Sequence, residues 1–288
     1  MKYGFGYQGS KSRIAEEIIS QLPPAKNFYD LFHGGGAIAH AAALSGKYEH
    51  VYASDISSAS ELLKMAVDGE FDDFTPEWIA RDEFFKRKDP YTKIIWSFGS
   101  KGKGYLFSGD REEPARMAHE AVVNQNTTEL MEYLKSIGCL EESFSSVFEK
   151  EDIESRRKAW NSYCRKINKP TLGRLEYLER ISRLKALSGL NIHVTQQSYE
   201  KVKIQPDSVV YCDIPYRVDS DSSSYTEGFN HEYFYRWLKG RRNPTYVSEY
   251  SMPSIFPLVW KKQVNHLMKT KKGERSTAEE KLFWNGVK

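Results

Sequence analysis

Three consecutive glycines, Gly34 to Gly36, follow a short apolar segment and precede an alanine-rich one in "FYDLFHGGGAIAHAAAL". Residues 28–32 are typical of a short strand, the glycines of a tight turn, and residues 37–44 of a helix. Apolar residues alternate again in a second strand at 50–54, and Asp55 stands at its carboxyl end. This order of strand, turn, helix and strand predicts the first half of an open α/β sheet.

The glycine turn and Asp55 together predict a ligand that contains a nucleoside. Glycine lets backbone N–H groups approach a ligand closely, and the start of the following helix favours negative charge. An acidic side chain at the end of the next strand commonly binds ribose hydroxyls. The turn has neither the G-x-x-x-x-G-K-[ST] spacing of a phosphate loop nor the G-x-G-x-x-G spacing of dinucleotide sites. A mononucleoside such as S-adenosylmethionine is therefore favoured over a dinucleotide.

The strand pattern returns near the end of the chain, at residues 191–195, 208–212 and 245–250, and "KLFWNG" is a candidate for one more strand. Residues 57–187 are instead rich in charge and in helical spacing. We therefore predict an α/β, Rossmann-like sheet formed by residues 1–56 and 188–288, with a mainly helical insertion at 57–187. Within the insertion, residues 94–109 predict a β-hairpin or a bent loop.

Composition excludes several classes of protein. The chain of 288 residues is 40% apolar, enough for a large core, and no apolar run approaches the roughly 18 residues of a membrane span. The N-terminal segment lacks the apolar stretch of a secretory signal, so we expect a cytoplasmic protein. Cys139, Cys164 and Cys212 are far apart and form no CxxC pair, which argues against disulfides and structural zinc. We expect no metal ion.

The segment "VVYCDIPYR" ends a predicted strand in Asp213, Ile214, Pro215 and Tyr216. In an open α/β sheet, ligands bind outside the carboxyl ends of the strands, so this segment is expected on the same rim as the glycine turn and Asp55. A carboxylate beside a backbone carbonyl offers two acceptors, and a tyrosine offers a flat face. The group suits a planar base that carries an exocyclic amine.

The order of these segments resembles the Dam-like class of DNA adenine-N6 methyltransferases, including phage-encoded members. "YQGSKSRI" resembles the N-terminal cofactor motif of the family, "YDLFHGGGAI" its glycine motif and "YASD" its ribose-binding acid. "DIPY" resembles the Asp-Pro-Pro-Tyr catalytic motif, and "SYTEGFNHEYFYRWL" the segment that follows it. The resemblance covers both ends of the chain. The central part corresponds only in position and general character to the target-recognition domain of the family.

The resemblance implies a role for each residue that matches a cofactor motif. Tyr7 and Lys11 would help to hold S-adenosylmethionine, and Asp55 would bind its ribose. Tyr199 would flank the cofactor adenine, and Tyr225 would close over the site. The residues that would form the pocket for the methionine end of the cofactor are Asp30, Phe32, Gly34, Gly35 and Gly36.

The catalytic motif departs from the family at Ile214, where proline is usual. Because this position acts through its backbone carbonyl, the substitution keeps the functional group. The resemblance implies that Asp213 and the Ile214 carbonyl accept hydrogen bonds from the amine of an adenine flipped out of the duplex, and that Tyr216 stacks on the base. Methylation of cytosine N4, methylation of RNA and a catalytically inactive DNA-binding protein are the alternatives.

Basic residues are clustered in the insertion, although the net charge of the chain is only +3. One cluster is the run from Arg156 to Lys158. In a DNA methyltransferase, such clusters are expected to neutralise phosphates of double-stranded DNA, and we expect the protein to be a monomer in solution. The candidates for direct DNA contacts are Lys101, Lys103 and Arg111.

Overall fold

The computed structural model describes residues 2–216, 228–269 and 275–288. Tyr225, which was expected to close over the cofactor, lies outside these residues. The described strands are β1 (Asn27–Asp30), β2 (His50–Asp55), β3 (Ile192–Gln196), β4 (Ser208–Asp213), β5 (Thr245–Ser248), β6 (Leu258–Lys269) and β7 (Arg275–Trp284). They form one sheet in the order β3-β2-β1-β4-β5-β7-β6.

The sheet is mixed. Strands β1 to β5 pair in parallel, whereas β7 is antiparallel to both of its neighbours, β5 and β6. The α/β, Rossmann-like fold expected from the sequence is therefore confirmed. The chain builds outward from β1 through β2 to β3 and then returns to the other side of β1 with β4. The order thus reverses between β1 and β4, which is where open α/β sheets bind their ligands.

Ten described helices accompany the sheet. They are α1 (Ala15–Gln21), α2 (Ala37–Leu44), α3 (Ala59–Val67), α4 (Arg81–Lys86), α5 (Pro90–Ile95), α6 (Gly109–Asn124), α7 (Thr128–Ser136), α8 (Ile153–Lys166), α9 (Glu176–Lys185) and α10 (His231–Lys239). Single turns of 3-10 helix occur at Phe98–Ser100 and Tyr199–Lys201, and a longer 3-10 segment spans Glu142–Val147.

By their contacts the residues form two compact units. The first unit comprises Met1–Gly4, Ser10–Lys64 and Gly189–Lys288 and contains the sheet. Its strand β4 is buried from Ser208 to Cys212, as expected for a central parallel strand that has both faces covered. Leu31 and Phe234 belong to the buried apolar cluster around this strand.

The second unit comprises Phe5–Gly9 and Met65–Ser188, and its described part is helical apart from one isolated bridge. The rings of Trp96 and Tyr177 stack in its core, with 4.0 Å between their centroids, and both side chains are fully buried. Each of these large aromatic rings removes a large apolar surface from water.

Residues 94–109 contain no strand, where a β-hairpin or a bent loop was expected. Ser97 and Tyr105 make a single antiparallel bridge. Positive φ angles at Gly99 and Gly102 turn the chain between Ser97 and Tyr105, and Phe98–Ser100 forms a single turn of 3-10 helix there. Trp96, Tyr105 and Phe107, which resembled strand positions, are instead buried in the second unit, whereas Phe98 is exposed.

Strand β6 was missed, and β7 begins earlier than the "KLFWNG" segment that indicated it. β6 is an edge strand whose first residues, Leu258 and Val259, are exposed, and Lys261 and Lys262 follow them. An edge strand needs no alternation of buried and exposed side chains, so its sequence carries little pattern.

Candidate active site

The glycine turn connects β1 to α2. Gly34 and Gly36 have positive φ angles of 50° and 68°, and Gly36 is the N-cap of the helix. A Cβ atom on Gly36 would lie 2.9 Å from Cδ1 of Leu63, so the turn fits closely against α3. Both the backbone conformation and the space favour glycine here.

Asp55, at the end of β2, is bonded to this turn. Its Oδ2 accepts a hydrogen bond from the Gly34 N–H at 3.0 Å, and its Oδ1 accepts one from the Ser57 N–H at 2.9 Å. A carboxylate has about four lone-pair sites, so two backbone bonds leave acceptor capacity for a pair of hydroxyls. The geometry suits an acid that fixes the turn and binds a ribose.

Asp30 ends β1 at the point where the strand order reverses. Its side chain is 1% exposed, and Oδ2 accepts a hydrogen bond from the Ala39 N–H at 3.2 Å. Oδ1 has no hydrogen-bond partner among the described residues. Burial, the charge of Asp213 and the charge of Asp55 raise the pKa of Asp30 well above its ordinary value. A buried acceptor without a partner suits a cationic donor, such as the ammonium group at the methionine end of S-adenosylmethionine.

Phe32 and Tyr199 meet beside the glycine turn. Their rings stack with 5.1 Å between centroids, and Tyr199 also packs edge-on against Trp237 at 5.0 Å. Tyr199 lies in the 3-10 turn after β3 and is largely buried, whereas Phe32 is half-buried. Two residues implied as cofactor contacts are thus brought together, 167 positions apart in the chain.

The Asp-Ile-Pro-Tyr segment leaves β4 beside Asp30. The side chain of Asp213 is 20% exposed, and Oδ1 lies 3.1 Å from Nζ of Lys11. The Lys11 Nζ also lies 3.6 Å from Oε2 of Glu280 and 4.5 Å from the centroid of the Tyr216 ring. Glu280 in turn accepts a hydrogen bond from the Tyr216 hydroxyl at 2.7 Å. These four residues form what we call the acceptor cluster: Lys11, Asp213, Tyr216 and Glu280.

The charges of the acceptor cluster affect one another because the cluster is largely buried. Burial raises the pKa of Asp213, Lys11 lowers it, and Glu280 raises it again, with a net rise. Burial lowers the pKa of Lys11, but the two carboxylates outweigh this effect and hold its pKa above the ordinary value. The pKa of Tyr216 is raised by burial and by both carboxylates. Lys11 is therefore the cation that makes two neighbouring carboxylates tolerable.

Ile214 and Pro215 are fixed by residues outside the acceptor cluster. The Ile214 side chain is 2% exposed and belongs to the same buried cluster as Leu31 and Phe234. The Pro215 carbonyl oxygen lies 2.8 Å from Nε2 of His231, at the start of α10, and a carbonyl can only accept, so His231 is the donor. The loop that carries the motif is thus fixed by apolar contact and by a side-chain donor.

The other predicted site residues lie in the second unit. Tyr7 belongs to its segment Phe5–Gly9 and packs edge-on against Phe5 at 6.4 Å. Lys101 and Lys103 are exposed on the bent loop. Arg111 is half-buried and donates to the Thr171 carbonyl at 3.2 Å.

One basic cluster in the insertion proves to be structural. Arg156 is buried and donates to the carbonyl oxygens of Val122, Lys150 and Glu151 at 2.6, 2.8 and 2.6 Å. Such a guanidinium satisfies backbone acceptors of its own unit. Its neighbour Arg157 pairs with Glu154 at 2.7 Å. The expectation that this run neutralises phosphates is therefore not met by its first two residues.

Three residues of the candidate site were not identified from the sequence. Glu280 and Tyr250 contact Tyr216, the latter edge-on with 4.5 Å between ring centroids, and His231 holds Pro215. His231 lies within the "SYTEGFNHEYFYRWL" segment, so the resemblance marked its region. For Glu280 there was no signal, because it follows another glutamate in a strand with no recognisable motif.

No group of three or more His, Cys, Asp or Glu side chains in the described parts of the chain could hold a metal ion. No helix in those parts is long and apolar enough to span a membrane.

Comparison with known proteins identifies one family. Residues 7–237 match the family model described as D12 class N6 adenine-specific DNA methyltransferase. The matched range begins before the glycine turn, includes the insertion and ends within α10, so it leaves out β5, β6 and β7. No curated protein matches the chain.

Proposed function

Because the chain belongs to the D12 class of N6 adenine-specific DNA methyltransferases, we propose that Asp213, Ile214, Pro215 and Tyr216 carry out adenine methylation at the point where the strand order reverses between β1 and β4. The protein is an S-adenosylmethionine-dependent enzyme that methylates adenine N6 in DNA. The observation that carries the proposal is the position of Asp213 at the end of β4, beside Asp30 and partly exposed.

The roles of the motif follow from the chemistry of an exocyclic amine. Asp213 and the Ile214 carbonyl accept hydrogen bonds from the two N6 hydrogens, which orients the nitrogen lone pair toward the methyl donor. The carboxylate also stabilises the positive charge that develops on nitrogen. Tyr216 stacks on the base, which has been flipped out of the duplex because N6 is not accessible to the enzyme inside it.

The cofactor residues lie along the same rim. S-adenosylmethionine supplies an electrophilic methyl group on its sulfonium. We assign its ribose to Asp55, its ammonium to the unpartnered oxygen of Asp30, and its adenine to the side of Tyr199. The residues proposed to line the rest of the cofactor pocket are Tyr7, Lys11, Phe32, Gly34, Gly35, Gly36 and Tyr225.

The second unit is proposed as the target-recognition part, corresponding to the insertion at 57–187. Lys101 and Lys103 are exposed on a loop with two positive-φ glycines, a shape suited to entering a DNA groove. Arg111 is the third proposed contact, although it is partly engaged with the Thr171 carbonyl.

The finer classification is also a proposal. The motifs "YQGSKSRI" and "DIPY" support a place in the Dam-like branch, as found in phage-encoded or restriction-associated members. We propose that the protein acts on double-stranded DNA as a monomer. Sedimentation with and without a DNA duplex tests this stoichiometry.

The product of the reaction tests the proposed function. DNA and RNA duplexes are incubated separately with the purified protein and labelled S-adenosylmethionine, digested to nucleosides and analysed by mass spectrometry. We expect N6-methyladenine from DNA and none from RNA. Label in N4-methylcytosine, in RNA, or in no nucleoside would each contradict the proposal, and the last outcome would indicate an inactive relative.

A further inference from the structure

Glu280 reaches the catalytic motif from outside the region that defines the family. It lies on β7, which the family match at 7–237 does not include. Its side chain is 12% exposed. The neighbouring Glu279 is more exposed and instead pairs with Lys261 and Lys281, at 3.4 and 3.3 Å. A carboxylate that is this far buried requires partners. Glu280 has two in the acceptor cluster, the Tyr216 hydroxyl and the Lys11 ammonium.

Lys11 is shared between two carboxylates. Its Nζ lies 3.1 Å from Asp213 and 3.6 Å from Glu280, so its charge is divided between them. If Glu280 were neutral, the ammonium would be committed to Asp213 alone. A carboxylate in an undivided, buried ion pair accepts a further hydrogen bond from an amine less well, because its charge is already compensated.

The same residue fixes the aromatic ring. The hydrogen bond from Tyr216 to Glu280 and the edge contact with Tyr250 hold the tyrosine at two points. A ring that is fixed before the base arrives loses less entropy on stacking.

We propose that Glu280 is a positioning residue of the methylation site, which draws Lys11 away from Asp213 and anchors Tyr216. The proposal rests on the proposed role of Asp213 as the acceptor of the adenine amine. With Glu280 charged, the acceptor cluster has two carboxylates and one ammonium. Its net negative charge complements the positive charge that develops on N6.

The charges around Asp213 give the proposal a pH signature. Titratable groups from several elements face Asp213. The acidic groups are Asp30 at the end of β1 and Glu280 on β7, and the basic group is Lys11 before α1. The others are Tyr211 and Cys212 on β4, Tyr216 after β4, and Tyr250 after β5. Asp30 and Glu280 are the two that add negative charge. Because methyl transfer requires ionised Asp213, Glu280 moves the acid limb of the rate profile to higher pH.

The test is the pH profile of kcat in Glu280→Gln. The amide keeps the size of the side chain and an acceptor for Tyr216, but it removes the charge. We expect kcat at neutral pH to fall roughly 10- to 100-fold, with the KM for S-adenosylmethionine unchanged. The acid limb should move to lower pH by up to about one unit. A role in folding alone would lower the amount of active enzyme without moving the limb.

Three further variants make the result specific. Glu279→Gln, one residue away on the same strand, should leave kcat and the acid limb unchanged. Tyr216→Phe removes the hydroxyl bond but keeps the Glu280 charge, so it should lower kcat without the shift of the acid limb to lower pH that Glu280→Gln shows. Glu280→Asp keeps the charge and should retain the wild-type limb, and it replaces Glu280→Gln as the informative variant if the latter does not fold.

Two outcomes separate this inference from the proposed function. If Glu280→Gln has the kcat and acid limb of the wild type, or if the Glu280→Asp limb moves, the role of Glu280 is wrong while that of Asp213 stands. If Asp213→Asn retains the wild-type rate, the proposed function of the motif is wrong and the inference is overturned with it.

Discussion

The carboxylate of Asp55 accepts a hydrogen bond from the backbone N–H of Gly34, with 3.0 Å between Oδ2 and nitrogen. This bond joins the end of β2 to the turn after β1, 21 residues earlier. The two features that indicated a nucleoside cofactor are therefore parts of one hydrogen-bonded structure. Their energetic contributions should be coupled, because loss of the acid also releases the turn.

Asp55 should contribute separately to cofactor binding and to stability. In Asp55→Asn the side-chain oxygen can still accept one backbone bond, whereas Asp55→Ala leaves both N–H groups without that partner. We expect both variants to bind S-adenosylmethionine about 10- to 100-fold more weakly, from the loss of about 1.5–3 kcal/mol per charged hydrogen bond. Only Asp55→Ala should also have a clearly lower melting temperature. Calorimetric titration and thermal unfolding measure the two effects, and wild-type affinity in Asp55→Ala would refute the ribose assignment.

Gly36→Ala should be more harmful than Gly46→Ala, although both glycines have a φ of 68°. Alanine in this region costs about 1 kcal/mol at either position. At Gly36 the added Cβ also meets Leu63 at 2.9 Å, whereas at Gly46 nothing lies within 4 Å. Urea unfolding should therefore show a larger loss of free energy for Gly36→Ala. Equal losses would mean that the Leu63 side chain moves aside without cost, which would contradict the close fit of the turn.

Ile214 should matter for stability through its side chain and for catalysis through its backbone. Its near-complete burial predicts a loss of about 2–4 kcal/mol in the free energy of unfolding for Ile214→Ala and about 1 kcal/mol for Ile214→Val. The valine variant should keep the wild-type kcat, because the carbonyl is unchanged. The measurement compares, for each variant, its kcat with the urea concentration at the midpoint of unfolding. A valine variant of normal stability and strongly reduced kcat would show that the isoleucine side chain acts in the reaction.

His119 should make the protein less stable in acid. It is buried beside the Tyr177 hydroxyl, and burial lowers its pKa to about 4. As pH falls below about 6.5, the unfolded chain takes up a proton that the folded chain refuses, so up to about 3 kcal/mol of stability is lost by pH 4. His119→Gln should flatten this dependence, measured by urea unfolding between pH 7 and pH 4. The exposed His193 provides the control variant, and an unchanged slope in His119→Gln would rule out this cause.

The parts of the fold that the sequence predicted share a physical property. Strands such as β2 and β4 are central and parallel, so their burial produces apolar runs that can be recognised without a structure. The edge strand β6 has exposed apolar residues and lysines in succession, and no pattern distinguishes it from a loop. Trp96, Tyr105 and Phe107 gave a misleading pattern because they are buried in a mainly helical unit rather than on a sheet.

The residues of the candidate site also differ in how far the sequence could predict them. Asp55 and Asp213 were expected at the site because each stands at the carboxyl end of a predicted strand, and strand ends meet at one rim, whereas Asp30 was implied only by the resemblance. Glu280 could not be predicted, because its contact with Tyr216 joins residues 64 positions apart and depends on the register of β7. The burial of Ile214 was also hidden, since a residue after a strand end is ordinarily expected in a loop.

The most direct test of the account is the single-turnover rate of methyl transfer in Asp213→Asn, with S-adenosylmethionine affinity measured on the same preparation. The asparagine has nearly the same shape but lacks the charge that orients the amine and stabilises the cation. We predict a rate about 10²- to 10³-fold below that of the wild type, with cofactor affinity nearly unchanged. A rate equal to that of the wild type, with the same affinity, would contradict the account.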